Sequence, residues 1–331
     1  MSFFTILKKF HFVKPSLFYS KEYHLFNSTI KIKLPLDTSE SVYDKAFHII
    51  NTIDKKYNSY SDESFIYNIN KNCGFFVKVD KVTIYLLEKI KYYSDLLNNE
   101  YDITIMPLLR LWGFYEARNT IPSNIEIENS KKYVDYKKIE ILKNGKNQVK
   151  IAKNQEIITG SFIKSFGADK IKEYLKDERI TDALINISSS TIIAINKKKK
   201  YWELIIEDPD DDTKDLFLLK LSNMALSISG NSNSFITINN ENYGHIISPK
   251  TGMPTKNKLV VIISSTGFKS DVFSTGLYNL SGENFIANIN KLDGIEGFLM
   301  NEKREIFYSK NFNFSSVIVI YISSCIAGTT I

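Results

Sequence analysis

Ile30, Ile32 and Leu34 alternate with Lys31 and Lys33, and this period of two predicts a half-buried strand over residues 24–34. The spacing then lengthens. Val42, Ala46, Ile49, Ile53 and Tyr57 keep helical intervals, so a helix is expected from Val42 to about Tyr57, with Ser41 as its cap. Leu86, Ile90, Tyr93 and Leu97 predict a second helix from about Val82 to Leu97. Ile171 and Leu175, one turn apart, predict a third after Gly167. Strand-like runs follow at Ala183 to Ile187, Ile192 to Ile195, Trp202 to Ile206, Phe217 to Leu221, Phe235 to Ile238 and Leu259 to Ser264. Trp112 and Phe114 read as core aromatics. Helices and strands mix without a regular βαβ rhythm, which favours an α+β fold over a doubly wound sheet. No repeat period appears, and no linker rich in Pro, Gly or Ser divides the chain.

With 331 residues, 43% of them hydrophobic and 24% charged, the chain has the composition of a soluble globular protein with a large core. Its net charge of +6 is spread thinly and forms no basic stripe interleaved with aromatics, so nucleic acid is not an expected partner. The run Lys197 to Lys200, just before Tyr201 and Trp202, reads as a solvated hairpin tip. Cys73 and Cys325 lie far apart and read as free thiols, neither at a metal-ligand spacing from a histidine. Near the N-terminus the apolar stretch Phe3 to Leu7 is short, and lysines follow it, so no signal peptide or lipobox is visible. The run Val317 to Ile322 is short and β-branched, and predicts a buried strand.

Four places carry candidate chemistry. Asp271 and Thr275 are four apart; with Ser270 capping a helix from Asp271, both side chains share one face. A carboxylate and a hydroxyl so placed suit a hard cation such as Mg²⁺. Equally, Asp271 complements a helix dipole and Thr275 packs. His245 is one of 4 histidines and precedes a Pro-x-Thr-Gly-x-Pro turn; it is either structural or a proton acceptor. Lys164 reads as an exposed lysine at a helix start or as a ligand contact. Asp102 either closes a turn or faces a ligand.

Four strings in order tie these places together: Tyr101-Asp102-Ile103-Thr104-Ile105-Met106-Pro107-Leu108, Leu111-Trp112-Gly113-Phe114, His245-Ile246-Ile247-Ser248-Pro249-Lys250-Thr251-Gly252, and Ser270-Asp271-Val272-Phe273-Ser274-Thr275. They resemble the family patterns FDxTxxPL, WGF, HIxDPxTG and ADxxxT of the ApbE family of FAD:protein FMN transferases. The likeness runs from about Phe26 to Ser309. The resemblance implies a T-fold-like α+β architecture, with mixed or antiparallel sheets flanked by helices. It divides the chain into an N-terminal extension (residues 1–23), a transferase domain (24–310) and a C-terminal strand or tail (311–331).

The resemblance further implies Mg²⁺-dependent transfer of FMN from FAD to a threonine hydroxyl of an acceptor protein, with release of AMP. Metal ligands fall on Ser161 (through its main-chain oxygen), Asp271, Ser274 and Thr275. Flavin contacts fall on Phe26, Asn58, Glu100, Tyr101, Asp102, Ile158, Lys164 and Ile246, and the catalytic roles on His245 and Lys164. Several residues depart from the pattern: Ile158 stands for an acid, Ser161, Ser165, Ser188 and Ser189 for glycines, and Ser248 for an aspartate. These departures imply weaker flavin binding. The expected acceptor is a redox subunit of Nqr or Rnf type at the outer face of the bacterial inner membrane, with membrane association only through that acceptor. An FAD diphosphatase and a catalytically silent FAD-binding protein are the alternatives.

Overall fold

The computed structural model describes residues 17–312, except 116, 144, 198–199 and 231–233. The stretch Phe3 to Leu7, Cys325 and the strand expected over Val317 to Ile322 lie outside the described residues.

The segment expected to be one strand over 24–34 is a hairpin. Phe18–Leu25 pairs antiparallel with Ser28–Pro35, and Phe26 and Asn27 turn the chain at φ of 54° and 52°. Asparagine enters this left-handed region readily, but apolar Phe26 disguised the turn. The folded body therefore begins by Phe18, ahead of residue 24.

This hairpin opens an eight-stranded antiparallel sheet. Its order continues through Ala183–Ile187, Thr191–Ile195, Ala225–Gly230, Leu259–Ser264, Glu296–Met300 and Ile306–Tyr308. Every residue of Leu259–Ser264 is buried, because both sheet faces are covered. Val260 and Ile262 join the core beneath the helices. Leu259, Val261 and Ile263 join a second core with Trp202, Leu204, Phe217 and Leu219. The latter four belong to a two-stranded ribbon, Trp202–Asp208 with Asp211–Leu221, that closes the opposite face. Period-two alternation thus serves two cores at once.

The helical layer holds Glu40–Tyr57, Ile163–Asp177 and Gly267–Leu277. Ala46 and Ile50 meet Ala168, Ile171 and Leu175 over the inward faces of Ile30, Ile32 and Ile185. The first helix begins at Glu40 with Ser39 as its cap, so the Ser41 cap is corrected by two residues. The second expected helix spans Lys81–Leu96, capped by Asp80, whose carboxylate accepts from the Thr83 N–H at 2.8 Å. The third starts four residues before Gly167, which lies inside it where a Cβ would come within 3.1 Å of Ile50. Lys197 and Lys200 are not at a hairpin tip: the strands on either side, Thr191–Ile195 and Trp202–Asp208, pair with other partners in different sheets. Among the described residues no helix is long and apolar enough to cross a membrane.

Candidate active site

Two neighbouring helices set the site. Ile163–Asp177 carries Lys164 in its first turn. Gly267–Leu277 is capped by Thr266, whose hydroxyl accepts from the Lys269 N–H, so Ser270 is a helical residue and not the cap expected of it. The shared face of Asp271 and Thr275 survives this correction, since the four-residue spacing is unchanged. Ser270 and Ser274 face the sheet instead. Ser270 bonds Ser227 at 2.8 Å, Ser229 donates to Ser274 at 2.9 Å, and Ser274 donates to the Asp271 carbonyl at 3.0 Å. The Ser274 hydroxyl, expected among the metal ligands, is therefore spent on the strand behind the helix.

Lys164, Asp271, Thr275, His245, Ser161 and Glu100 converge on one cavity of about 810 Å³. That lies in the upper part of the usual range for small-molecule sites, about 300–1,000 Å³, and suits a dinucleotide-sized ligand. Burial pushes the Asp271 carboxyl up to about 7, against the opposing pull of the Ser165 hydroxyl and the Lys164 charge. Burial likewise lowers Lys164, with Asp271 pulling it back up. Desolvation thus outweighs the pull of the one ammonium that faces this acid.

His245 stands open to the cavity. Its Nδ1 lies 3.1 Å from the Ser234 carbonyl, which can only accept, so Nδ1 carries the proton in the neutral ring. Nε2 is left as the free lone pair. Desolvation and the Lys164 charge lower its pKa against the pull of that carbonyl, which keeps the imidazole neutral near pH 7.

The other expected contacts divide. Tyr101 and Ser161 share a hydroxyl–hydroxyl bond of 2.7 Å at the cavity wall, and Ile158 and Ile246 line it. Glu100 is paired with Lys250 at 2.7 Å, which locks the Pro-x-Thr-Gly turn onto the 100–102 segment. The Asp102 carboxylate is occupied within the fold: it accepts from the Thr104 N–H, the Thr104 hydroxyl and the Tyr136 N–H at 2.7–2.9 Å. Of its two readings, the turn-closing one describes the side chain, although Asp102 also borders the cavity. Phe26 packs against the core and Asn58 bonds Asp54, and neither is among the cavity-lining residues. The pattern reading missed Tyr60 and Tyr115, which stack with centroids 6.1 Å apart on the cavity wall, and the acidic turn Glu207 to Asp212 opposite. Tyr60 closes the segment Asn58-Ser59-Tyr60, which resembles the family's Met-Ser-Tyr, but only Asn58 was expected as a contact; Tyr115 carries no signal.

Two local details give predictions. Gly252 has φ of 72°, its carbonyl accepts from Trp112 Nε1 at 2.8 Å, and a Cβ would come within 2.4 Å of Ile127. Gly252→Ala is expected to cost about 2 kcal/mol, read as a lower urea midpoint with unchanged slope. Ser188 and Ser189 hold φ of 55° and 61° at the turn before Thr191, where glycine is unstrained. Replacing both by glycine is expected to add about 1 kcal/mol of stability, after loss of the Ser28–Ser188 bond, and to tighten FAD binding in calorimetry. Unchanged or weaker FAD binding in that variant would show that these serines do not limit the flavin fit.

Comparison with known proteins fits this architecture. The ApbE family model matches residues 26–299, and the chain belongs to the ApbE family. It is 22% identical over 295 residues to an FAD:protein FMN transferase of Klebsiella pneumoniae, covering 88% of this chain and 92% of the relative. It is 28% identical over 248 residues to one of Buchnera aphidicola, covering 70% and 72%. The solved ApbE protein of Thermotoga maritima superposes with a TM-score of 0.81 at 22% identity, over 89% of this chain and 98% of that one. The flavin transferase ApbE of Vibrio cholerae superposes at 0.78 with 18% identity, over 90% and 99%.

Proposed function

We propose that this protein moves FMN from FAD to a threonine hydroxyl of an acceptor protein, releasing AMP. The observation that carries the reading is the convergence of Lys164, His245, Asp271 and Thr275 on one dinucleotide-sized cavity in a chain of this family.

Mg²⁺ fits the donor set. Asp271 offers one carboxylate, Thr275 a hydroxyl and Ser161 a main-chain oxygen, all hard oxygen donors and few enough to leave positions for phosphate and water. Among the described residues no group of three His, Cys, Asp or Glu forms a metal cage, so the substrate's phosphates would complete the coordination. When bound, the ion supplies charge neutralisation to the diphosphate.

The rest falls to the chain's own groups. Lys164 presents its ammonium beside Asp271 and orients the phosphate oxygens. His245 Nε2 takes the proton from the acceptor hydroxyl as that oxygen attacks the FMN phosphorus. A phosphorus–oxygen bond to threonine forms, the bond linking the two phosphates breaks, and AMP departs with the bonding pair. The buried side chains of Tyr101 and Ile246 form part of the wall beside these groups.

A pH dependence follows from Asp271. Its carboxyl, raised to about 7, must lose a proton to hold a cation, so Mg²⁺ affinity should fall about tenfold per pH unit below 7 and level off above it. Mg²⁺ titrations followed by calorimetry at pH 5.5 to 8.5 check this; a pH-independent affinity would remove Asp271 from the ligand set. The reading as a whole is tested by incubating the protein with FAD, Mg²⁺ and candidate acceptors. Partner-dependent AMP release supports transfer, partner-independent release indicates a diphosphatase, and FAD binding without AMP release indicates a silent binder. The expected acceptor is a redox subunit of Nqr or Rnf type at the outer face of the inner membrane.

A further inference from the structure

Helix Gly267–Leu277 bears Asp271 and Thr275, and helix Ile163–Asp177 bears Lys164. What fixes one helix against the other lies outside the cavity. The first amides of a helix have no partner within it. Here Gly267 N–H donates to Asp169 Oδ1 at 2.7 Å and Phe268 N–H to Asp169 Oδ2 at 2.8 Å, so one buried carboxylate from the neighbouring helix takes both. Thr266 takes the third amide, from Lys269, at 3.2 Å. A second strap reaches across in the same place: Lys172 Nζ donates to the Ser265 carbonyl at 2.8 Å. The two helices can approach this closely because residue 267 is glycine; a Cβ there would sit 3.1 Å from both the Ser165 carbonyl and Ile193.

We propose that Asp169 is a positioning residue for the reaction: its two-oxygen clasp on the Gly267 and Phe268 amides sets the register between the Lys164 helix and the Asp271/Thr275 helix. The clasp lies about one turn from each working group, with Asp169 five residues after Lys164 and Gly267 four before Asp271. Losing it frees the first turn of the metal-bearing helix and lets Asp271 and Thr275 drift relative to Lys164. Outer groups that orient ligands in this way commonly shift metal affinity or activity by 10–100-fold. The effect on turnover rests on the proposed transferase reading; the clasp itself does not.

Asp169→Asn keeps one accepting oxygen and loses the other, and Leu175→Ala, a buried cavity variant on the same helix, serves as a destabilised control. Two readouts separate the roles. The first is amide exchange by NMR: in the wild type, Gly267 and Phe268 should exchange as slowly as mid-helix amides. In Asp169→Asn the amides of 267–271 should exchange about tenfold faster than in Leu175→Ala at equal global stability. The second is the Mg²⁺ concentration for half-maximal AMP release, expected to rise about tenfold in Asp169→Asn, with the rate at saturating Mg²⁺ within about twofold, and to stay unchanged in Leu175→Ala. Fast exchange of Gly267 and Phe268 in the wild type, which needs no variant to fold, would overturn the proposal. So would equal shifts in both variants. A wild type that releases no AMP would sink the transferase reading, while the exchange measurements still decide the clasp.

Discussion

Asp271→Asn is expected to lower Mg²⁺-dependent AMP release by about a thousandfold, the scale of losing several kcal/mol of charge stabilisation, and at the same time to stabilise the unliganded protein at pH 8. The two effects share one cause. Asp271 is buried, and its folded-state pKa of about 7 lies above its ordinary value of 3.8. A raised carboxyl contributes its full stability below pH 3.8 and loses it as pH climbs through 7, so the ionised form strains the apoprotein at pH 8. Asparagine removes that charge and keeps the shape. The gain is on the order of 2 kcal/mol at pH 8 and vanishes near pH 4, measurable as a difference in Tm between variant and wild type. A variant less stable than wild type at pH 8 would mean that Asp271 is well compensated by Lys164 alone. The shared cause of the two effects would then be gone.

His245→Ala should cut FMN transfer by about a hundredfold or more, the scale of losing a general base, and leave FAD binding nearly unchanged. Its Nδ1–H is fixed by the Ser234 carbonyl, so Nε2 alone is free for the acceptor proton. Because burial and Lys164 lower its pKa, the loss of rate attributable to protonation of His245 should begin below pH 6.5. A variant that binds FAD poorly but turns over the bound fraction normally would recast His245 as a binding residue.

The helices over Glu40–Tyr57 and Lys81–Leu96 were legible because they place apolar residues at helical spacing, and the strand Leu259–Ser264 because it is a short unbroken run of mostly β-branched apolar residues. The strand Ala225–Gly230 was not. Its inward Ser227 and Ser229 are buried and bonded to Thr191, Ser270 and Ser274, so a polar ladder replaces the expected apolar stripe. The same ladder explains why Ser274 was misplaced, since sequence spacing alone could not distinguish the sheet-facing positions 270 and 274 from the cavity-facing 271 and 275. Asp169 was given no role for a different reason. Its partners, the amides of Gly267 and Phe268, lie about a hundred residues away and belong to the backbone, which sequence patterns do not mark. The working groups of the site were readable through resemblance, whereas the residues that hold them in place required coordinates.

The most direct test is intact mass spectrometry of a threonine-bearing acceptor subunit incubated with this protein, FAD and Mg²⁺. The account predicts an acceptor heavier by one FMN, fluorescent on a denaturing gel, absent without Mg²⁺ and nearly absent with His245→Ala. Acceptors left at their starting mass, while calorimetry shows FAD bound, would contradict it.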